Sequence, residues 1–373
     1  MRRALSLSAV ILLLWVGLAL AATEVICIVD TDPDAEDAHY HSLADAIAGE
    51  TGASPKCVTS ADLVANDEQL TIECRASSGA ADTAAVSVDG FTQDEDRYVE
   101  IYIPPAHRHN GKWSTGKYRI ESTAQDILYI KDSYTRVRGI QVKGSSSQGW
   151  YNRTVRIDED TDYVVFEDFI IINDCQFEAV GPHAVGFSAI GKYGEDKHDR
   201  VQNGIIICKN YTGRGFYAGS WNSKLFNVTI YGGKYGIVSE WAKTQFTNIV
   251  AVGASVSCFY DKAGGFSTSS DYNASDDGTA PGANSIDLTG VSLGTIFTDY
   301  SNEDFSLVSN SPLIDAGTDL SASMDSVDII GTSRPQGDYW DIGAFELSGP
   351  KWNGITPAKW NGVDWSNIKW NGM

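Results

Sequence analysis

The chain is 373 residues long and carries 49 acidic against 28 basic residues, a formal charge of −21. Hydrophobic residues make up 42% of the chain, which is enough for a large core and argues against global disorder. The acidity excludes a general nucleic-acid binder, which needs a basic surface to release counterions, and a surface that docks on anionic lipid.

The N-terminal segment predicts secretion. Arg2 and Arg3 form a positively charged start, residues 10–20 are apolar, and a cleavage site of small residues ends at Ala21. The apolar run is shorter than the roughly 20 residues that a membrane span needs. We therefore predict a signal peptide over residues 1–22, cleavage near Ala21, no transmembrane segment in the mature chain, and a secreted or extracellular-surface location.

After cleavage the six cysteines would face an oxidising compartment, where disulfides form. Proximity in the sequence favours a bond between Cys57 and Cys74, and a bond between Cys175 and Cys208 could link neighbouring layers. The sequence holds no Cys-x-x-Cys motif and no Cys/His cluster, so a zinc site is not predicted.

One segment near the N-terminus has clear helical signals. Ser42 can cap the run 43–48, whose apolar residues recur at i, i+3 and i+4, and Gly49 can end it. A strand-like run over 25–29 precedes it. Elsewhere, short β-branched runs separated by glycine and asparagine predict many short strands.

These strand-sized runs repeat. The runs around Asn227 and Asn248 lie 21 residues apart in the same register, and Asn203 precedes Asn227 by 24. Asp168 precedes Asn203 by 35, an interval longer than one repeat. A period of this size indicates a solenoid. A parallel β-helix fits best, because no leucine-rich frame or long helical segment is present, and the four polar residues would stack as a ladder at a coil corner.

Two motifs carry a resemblance to known proteins. The run 40–47, Tyr-His-Ser-Leu-Ala-Asp-Ala-Ile, looks like the entry that opens many right-handed parallel β-helix proteins of the pectin-lyase-like superfamily. The segments 311–317, 328–335 and 341–346 resemble the C-terminal signature of secreted bacterial β-helix proteins with choice-of-anchor domains. The resemblance covers nearly all of the mature chain and implies fold and secretion. It leaves the activity open, since this scaffold hosts lyases, hydrolases, esterases, epimerases and non-catalytic surface proteins.

The predicted fold class is all-β, a single-stranded right-handed parallel β-helix with a short N-terminal capping helix. The predicted division is a signal peptide over 1–22, an N-terminal strand, capping helix and cap region over 23–97, the β-helix with a C-terminal closing segment over 98–347, and a repeat tail over 348–373.

The catalytic motifs of the enzymatic branches of this superfamily are missing or broken, so no family catalytic residue is assigned. The long interval between Asp168 and Asn203 nevertheless holds the residue types that a polysaccharide lyase needs, a cation to neutralise a uronate carboxylate and a base for its proton. A solvated, charge-mixed loop is the simpler explanation of the same residues. A second cluster, His107-Arg108-His109, is expected to be ordinary surface. The catalytic candidates are His183, Lys192, Asp196, His198 and Arg200.

Aromatic residues near the predicted coil corners could stack on sugar rings or pack in the core. Two acidic runs, 158–162 and 271–278, could bind Ca²⁺ as a cofactor, although neither has EF-hand spacing. The candidate carbohydrate-binding residues are Trp150, Tyr151, Tyr217, Trp221 and Trp241.

Charge is segregated along the chain. Residues 30–100 hold 17 acidic and 3 basic residues, whereas residues 107–156 hold 10 basic and 3 acidic. The basic strip could attract an acidic polysaccharide; the two blocks could equally face each other or solvate separate faces. The tail repeats Lys-Trp-Asn-Gly three times from Lys351. It could be a surface-attachment or sorting tag, an aromatic ligand-binding strip, or a cap or disordered tail.

The sequence therefore predicts a secreted or surface-associated β-helix protein whose partner is an extracellular polysaccharide or a cell surface, not a nucleic acid. Binding without a recognisable catalytic set is the leading hypothesis. The alternatives are a polysaccharide lyase or glycoside hydrolase with an atypical site near residues 183–200, and a structural cell-surface component.

Overall fold

The structure, a computed structural model, describes residues 21–145, 152–175, 184–189, 198–209, 211–219, 223–240, 243–262 and 264–348. Strands dominate. Two α-helices lie near the N-terminus, α1 (Leu43–Glu50) and α2 (Leu63–Asn66), and two 3₁₀ turns cover Leu293–Thr295 and Tyr300–Asn302. Across the described ranges no helix is long and apolar enough to cross a membrane.

The strands are short and follow one another at coil-sized intervals. The first twelve are β1 (Thr23–Asp30), β2 (Glu68–Arg75), β3 (Val86–Val88), β4 (Val99–Tyr102), β5 (Ile120–Ser122), β6 (Asp126–Ile130), β7 (Arg136–Arg138), β8 (Gln141–Gly144), β9 (Asn152–Ile157), β10 (Val165–Asn173), β11 (Ala184–Ala189) and β12 (Arg200–Cys208). The others are β13 (Arg214–Ala218), β14 (Lys224–Gly232), β15 (Tyr235–Ser239), β16 (Gln245–Thr247), β17 (Val250–Val252), β18 (Ser257–Asp261), β19 (Ala274–Ser275), β20 (Ile286–Asp287), β21 (Phe297–Asp299) and β22 (Asp304–Leu307).

The strands form two long parallel sheets. In the first sheet the order is β1-β2-β4-β7-β10-β12-β14-β17-β19-β20, with β5, β8 and β16 as side branches. In the second it is β3-β6-β9-β11-β13-β15-β18. All pairs in these two sheets are parallel, and the coils from β2 to β18 supply the strands of both sheets. The predicted fold class, a right-handed parallel β-helix with a short N-terminal helix, is confirmed.

Side chains alternate between the interior and the surface, as the pleat requires. One inward row of the first sheet follows the register through Ile72, Ile101, Val137, Phe166 and Val201, all of them at most 2% exposed. Such stacking buries a continuous apolar core, so each coil is stable through its neighbours.

The predicted ladder is confirmed. Asp168, Asn203, Asn227 and Asn248 all have φ between 51° and 58°, the left-handed region. Asn248 Nδ2 donates to Asn227 Oδ1 at 3.0 Å, and Asn227 Nδ2 to Asn203 Oδ1 at 3.4 Å. Asparagine and aspartate tolerate this conformation better than other residues with a Cβ, and Gly139 (φ 87°) has the corresponding place one coil earlier.

The predicted capping helix is present, with Ser42 Oγ accepting the N–H of Asp45 at 3.1 Å. The helix does not end at Gly49, as predicted, but continues through Glu50. Glu50 is fully buried and accepts hydrogen bonds from the Tyr40 hydroxyl at 2.7 Å and from the N–H of Val58 at 2.9 Å. These buried contacts of Glu50 extend the helix by one residue. The glycine signal in the sequence carries no information about them.

Cys57 forms a disulfide with Cys27. The predicted partner, Cys74, was wrong. The β1–β2 register places Cys74 opposite Val29 in the core, where it is 0% exposed. Cys175 and Cys208 are buried, and their predicted bond stays a prediction.

The C-terminal segment over residues 311–347, here called the closing segment, folds back along the ladder. Ala344 N–H donates to the Thr229 hydroxyl at 3.1 Å, and Asn203 Nδ2 donates to the Val327 carbonyl at 3.0 Å. A buried ion pair, Arg334 Nη1 to Glu346 Oε2 at 3.0 Å, holds the segment together. The residues that resemble the choice-of-anchor signature thus build this segment, while the family assignment itself stays a prediction. The domain boundaries also stay predictions, although β1, β2 and β3 already belong to the two long sheets.

Candidate functional site

A groove crosses the outer face of the first sheet at the coils of β7, β10 and β12. It consists of three adjoining cavities of about 350, 490 and 670 Å³. Neighbouring cavities share lining residues: Arg136 and Arg200 border the first two, and Arg138 and Glu167 border the last two. The closing segment forms one wall with residues 321–331.

Strand register explains why these side chains meet. Arg136 pairs with Val165, and Val165 with Arg200, so these residues form one outward row. Two positions further along each strand, a second outward row joins Tyr102, Arg138, Glu167 and Gln202. The coils are about 4.8 Å apart, so cations far apart in sequence become neighbours.

The groove is locally basic on an acidic protein. Its charged lining consists of six basic and four acidic residues: Arg108, Lys117, Arg136, Arg138, Arg200 and Lys224 against Glu95, Glu167, Asp168 and Asp325. A basic concave surface concentrates anionic ligands near it. The basic strip noted in the sequence therefore contributes to the groove.

A stack of aromatic rings forms one end of the groove. The ring centroids of Tyr134 and Tyr163 lie 4.9 Å apart with an interplanar angle of 1°, and Tyr163 and His198 lie 4.4 Å apart at 3°. Tyr163 is 43% exposed. Asp162 orients His198, with Nδ1 3.1 Å from Oδ2. Arg136 adds a cation–π contact, with its guanidinium carbon 3.6 Å from the centroid of the Tyr98 ring.

The other end of the groove holds a partly buried carboxyl group. Arg108 Nη1 lies 3.2 Å from Asp168 Oδ2. Burial, and secondarily the charge of Glu167, raises the pKa of Asp168 to about 7, although Arg108 opposes the shift. His109 binds the Asp168 carbonyl through Nε2 at 2.8 Å, and burial lowers the pKa of His109 to about 4. The His107-Arg108-His109 cluster was expected to be surface, but His109 is 4% exposed and Arg108 and His109 line the groove.

The middle of the groove contains a tight set of ionic contacts. Arg138 pairs with Glu167, and Gln202 Nε2 donates to Glu167 Oε2 at 2.6 Å. Arg200 donates to the Ser323 carbonyl of the closing segment. Burial lowers the pKa of Arg200, against the opposing charges of Glu167 and Asp325.

The structure places two of the predicted catalytic candidates, His198 and Arg200, in this groove. The other three lie outside the described residues: His183, Lys192 and Asp196. Of the candidate sugar-binding aromatics, Tyr217 lies in the second sheet, away from the groove, with its hydroxyl 3.4 Å from Glu240 Oε2. Trp150, Tyr151, Trp221, Trp241 and the Lys-Trp-Asn-Gly tail lie outside the described residues.

The sequence reasoning missed Tyr134, Tyr163, Arg138 and Glu167 as groove residues. Arg136 and Arg138 are spaced two apart around a buried valine. This alternation puts both arginines on the outer face of a strand. It is a sequence signal that could have identified Arg136 and Arg138 as surface cations of one strand.

The acidic runs proposed for Ca²⁺ are engaged in protein contacts. Asp158 lies 3.3 Å from Arg156, and Asp271 accepts from Asn284 Nδ2 at 2.7 Å. Cys258, Asp276 and Asp277 bring possible ligand atoms within 4.8 Å of one another. The Asp276 and Asp277 carboxylates already accept hydrogen bonds from Gly253 N–H and Cys258 N–H at 2.9 and 2.8 Å.

Comparison with known proteins found no matching family model and no matching curated protein. Among solved structures, one described as "Crystal structure of pectate lyase Pel9A" is similar at 13% sequence identity with a TM-score of 0.30. The match covers 88% of this chain and 97% of that chain.

Proposed function

We propose that the protein binds an acidic extracellular polysaccharide through the groove, without a need for catalysis. One observation carries the proposal: a solvent-accessible stack of aromatic rings lies beside two outward arginines, Arg136 and Arg200. The exposed part of the stack, at His198 and at the edge of Tyr163, suits the apolar C–H groups of sugar rings, and arginine suits carboxylates. The two together match a polymer of uronate sugars better than a neutral glycan.

The extracellular part of the proposal rests on separate support. The Cys27–Cys57 disulfide fits an oxidising compartment, and the N-terminal sequence has the features of a signal peptide. Expression with the native N-terminus, followed by N-terminal sequencing of protein from the medium, tests secretion. A mature chain that begins near Ala21 supports it, and a chain retained in the cells with Met1 intact contradicts it.

Calorimetric titration with polygalacturonate tests the binding. We expect the wild-type protein to bind, and Arg136→Ala to weaken binding by at least about tenfold, because a charge-assisted hydrogen bond contributes about 1.5–3 kcal/mol. Lys262→Ala removes the same charge from a side chain outside the groove, 50% exposed and 2.9 Å from Glu240. Equal weakening by both variants would mean that net charge, and not the groove, drives binding.

A second candidate function is cleavage of the same polymer by β-elimination. It is favoured by Asp168, whose pKa of about 7 suits a general base near neutral pH and whose neighbour Arg108 could neutralise a substrate carboxylate. In that step the carboxylate of Asp168 would take the proton next to the sugar carboxylate, a C=C bond would form as the C–O bond to the leaving sugar breaks, and the released oxygen would take a proton from water. Ultraviolet absorbance of the unsaturated product tests it: absence of product from pectate, alginate and glycosaminoglycans contradicts lyase activity but leaves binding intact.

A further inference from the structure

The floor of the groove contains a buried hydrogen-bond acceptor that no group in the described part of the chain satisfies. Gln202 is 1% exposed, and its Oε1 has no hydrogen-bond partner among the described residues. Its other amide atom, Nε2, donates to Glu167 Oε2 at 2.6 Å. The Gln202 amide is thus hydrogen-bonded at its nitrogen and without a partner at its oxygen.

The orientation of the Gln202 amide follows from its neighbour. If the amide were reversed, Oε1 would face the Glu167 carboxylate, and two acceptors would repel each other. Glu167 itself is held by Arg138. The ionic contacts therefore fix the acceptor of Gln202 on the side away from Glu167.

A donor of the opposite kind lies on the same face of the same strand. Arg200 is two residues before Gln202 on β12, about 6.6 Å along the strand, and both residues line the same 490 Å³ cavity. Arg200 Nε is also buried without a partner among the described residues. A charged donor and a neutral acceptor, both without a partner among the described residues, thus border the same cavity.

We propose that Gln202 is a specificity-determining residue that selects a uronate with a free hydroxyl group: Arg200 holds the sugar carboxylate and Gln202 Oε1 accepts the proton of a hydroxyl on the same ring. This inference rests on the proposed binding function. A buried acceptor without a hydrogen bond costs free energy. A ligand that donates a hydrogen bond to Gln202 Oε1 is therefore favoured over an anion that has no donor. The groove would then distinguish uronate polymers from polyanions that lack hydroxyl groups.

Two polymers separate hydroxyl recognition from simple attraction of carboxylates. Polygalacturonate carries carboxylates and hydroxyls, and polyacrylate carries carboxylates alone. In calorimetric titrations we expect Gln202→Met to bind polygalacturonate about tenfold more weakly than the wild type and polyacrylate equally well. Damage to the Glu167 contact would weaken both polymers alike, so equal weakening, or no change with either polymer, overturns the role of Gln202.

A measurement on the wild-type protein keeps the inference testable if the Gln202 variant does not fold. O-acetylated polygalacturonate retains the carboxylates and loses the hydroxyl donors, and we expect it to bind about tenfold more weakly than the unmodified polymer. Equal binding of polygalacturonate, its acetylated form and polyacrylate overturns hydroxyl recognition while the binding function stands. Failure of the wild-type protein to bind any of the three overturns the binding function itself.

Discussion

The side-chain amide of Asn248 exchanges two hydrogen bonds with the backbone of Thr318. Asn248 Nδ2 donates to the Thr318 carbonyl at 2.9 Å, and the Thr318 N–H donates to Asn248 Oδ1 at 2.9 Å. The same Nδ2 also donates to Asn227 Oδ1 at 3.0 Å. The ladder therefore has two roles, because it joins successive coils to one another and also fixes the closing segment that forms a wall of the groove.

Replacement of Asn248 by alanine should destabilise the protein strongly. The change removes these buried hydrogen bonds and places a residue with a Cβ and no compensating side-chain contact at φ 58°. We expect the free energy of unfolding to fall by about 3 kcal/mol, from unsatisfied backbone groups and left-handed strain together. Urea denaturation followed by tryptophan fluorescence measures it.

Two variants separate the causes of that loss. Asn248→Gly loses the hydrogen bonds but tolerates the left-handed conformation, so it should lose about 1 kcal/mol less than alanine. Asn302→Ala removes an exposed amide that contacts Asp299 at 2.7 Å and should change stability by at most about 0.5 kcal/mol. A loss at Asn302 as large as at Asn248 contradicts the role given to the ladder.

Much of the fold could be predicted because its repeating chemistry is local. The spacing of Asn203, Asn227 and Asn248 gave the coil period and the ladder, since each needs the same left-handed corner in successive coils. The Cys27–Cys57 bond could not be predicted in this way. It depends on where the chain places residue 57 over β1, and nearness in sequence does not determine that.

The candidate site was harder to predict for the same reason. Of its central residues, the sequence alone pointed to Arg200 and His198, but only as members of the long interval between Asp168 and Asn203. Tyr163 and Arg138 contribute through register, which brings together side chains from separate coils. The wall from the closing segment is more remote still, since Ser323 is 123 positions from Arg200. A contact between residues so far apart in sequence leaves no local motif by which it could be recognised.

Removal of the central ring of the aromatic stack should weaken polysaccharide binding. Tyr163 lies between Tyr134 and His198 in the stack, and these two rings cover both of its faces. Tyr163→Ala therefore unstacks both neighbours and removes the exposed edge of the central ring. We expect binding of polygalacturonate to weaken about fivefold, since each aromatic contact contributes on the order of 1 kcal/mol. Tyr211→Ala is the matched control, because Tyr211 is 78% exposed and does not line the groove. Unchanged affinity of the Tyr163 variant removes the aromatic stack from the site.

The Cys27–Cys57 disulfide should stabilise the N-terminal cap of the solenoid. It closes a loop with a sequence separation of 30, for which chain entropy gives about 3–4 kcal/mol. We expect Cys57→Ser to lower the free energy of unfolding by about that amount in urea. A reducing agent should destabilise the wild type similarly and leave the Cys57 variant unaffected. A variant that a reducing agent still destabilises would indicate that another disulfide carries the effect.

The closing segment should make stability depend on pH in a particular direction. Burial, and then the charge of Glu346, raises the pKa of Asp341 from 3.8 to about 7 in the folded protein, while Arg334 opposes the shift. The folded state therefore binds more protons than the unfolded state between about pH 4 and pH 7. Stability from this group is fully present below pH 4, is lost as the pH rises towards 7, and is constant above it.

Asp341→Asn should remove this part of the pH dependence, because the side chain no longer ionises. Urea denaturation at intervals from pH 4 to pH 8 gives the slope of stability against pH for each protein, and the slope is the quantity to compare. Absolute stability is a poor comparison, because the substitution also removes a hydrogen bond. The Asp341 carboxylate accepts the N–H groups of Asp315 and Leu347, both at 2.7 Å, and an amide can accept only one of them well. Asp168 has a similarly raised pKa, so Asp168→Asn should remove a second part and the double variant both. Identical slopes for the wild type and Asp341→Asn would show that Asp341 ionises in the fold as it does in the unfolded chain.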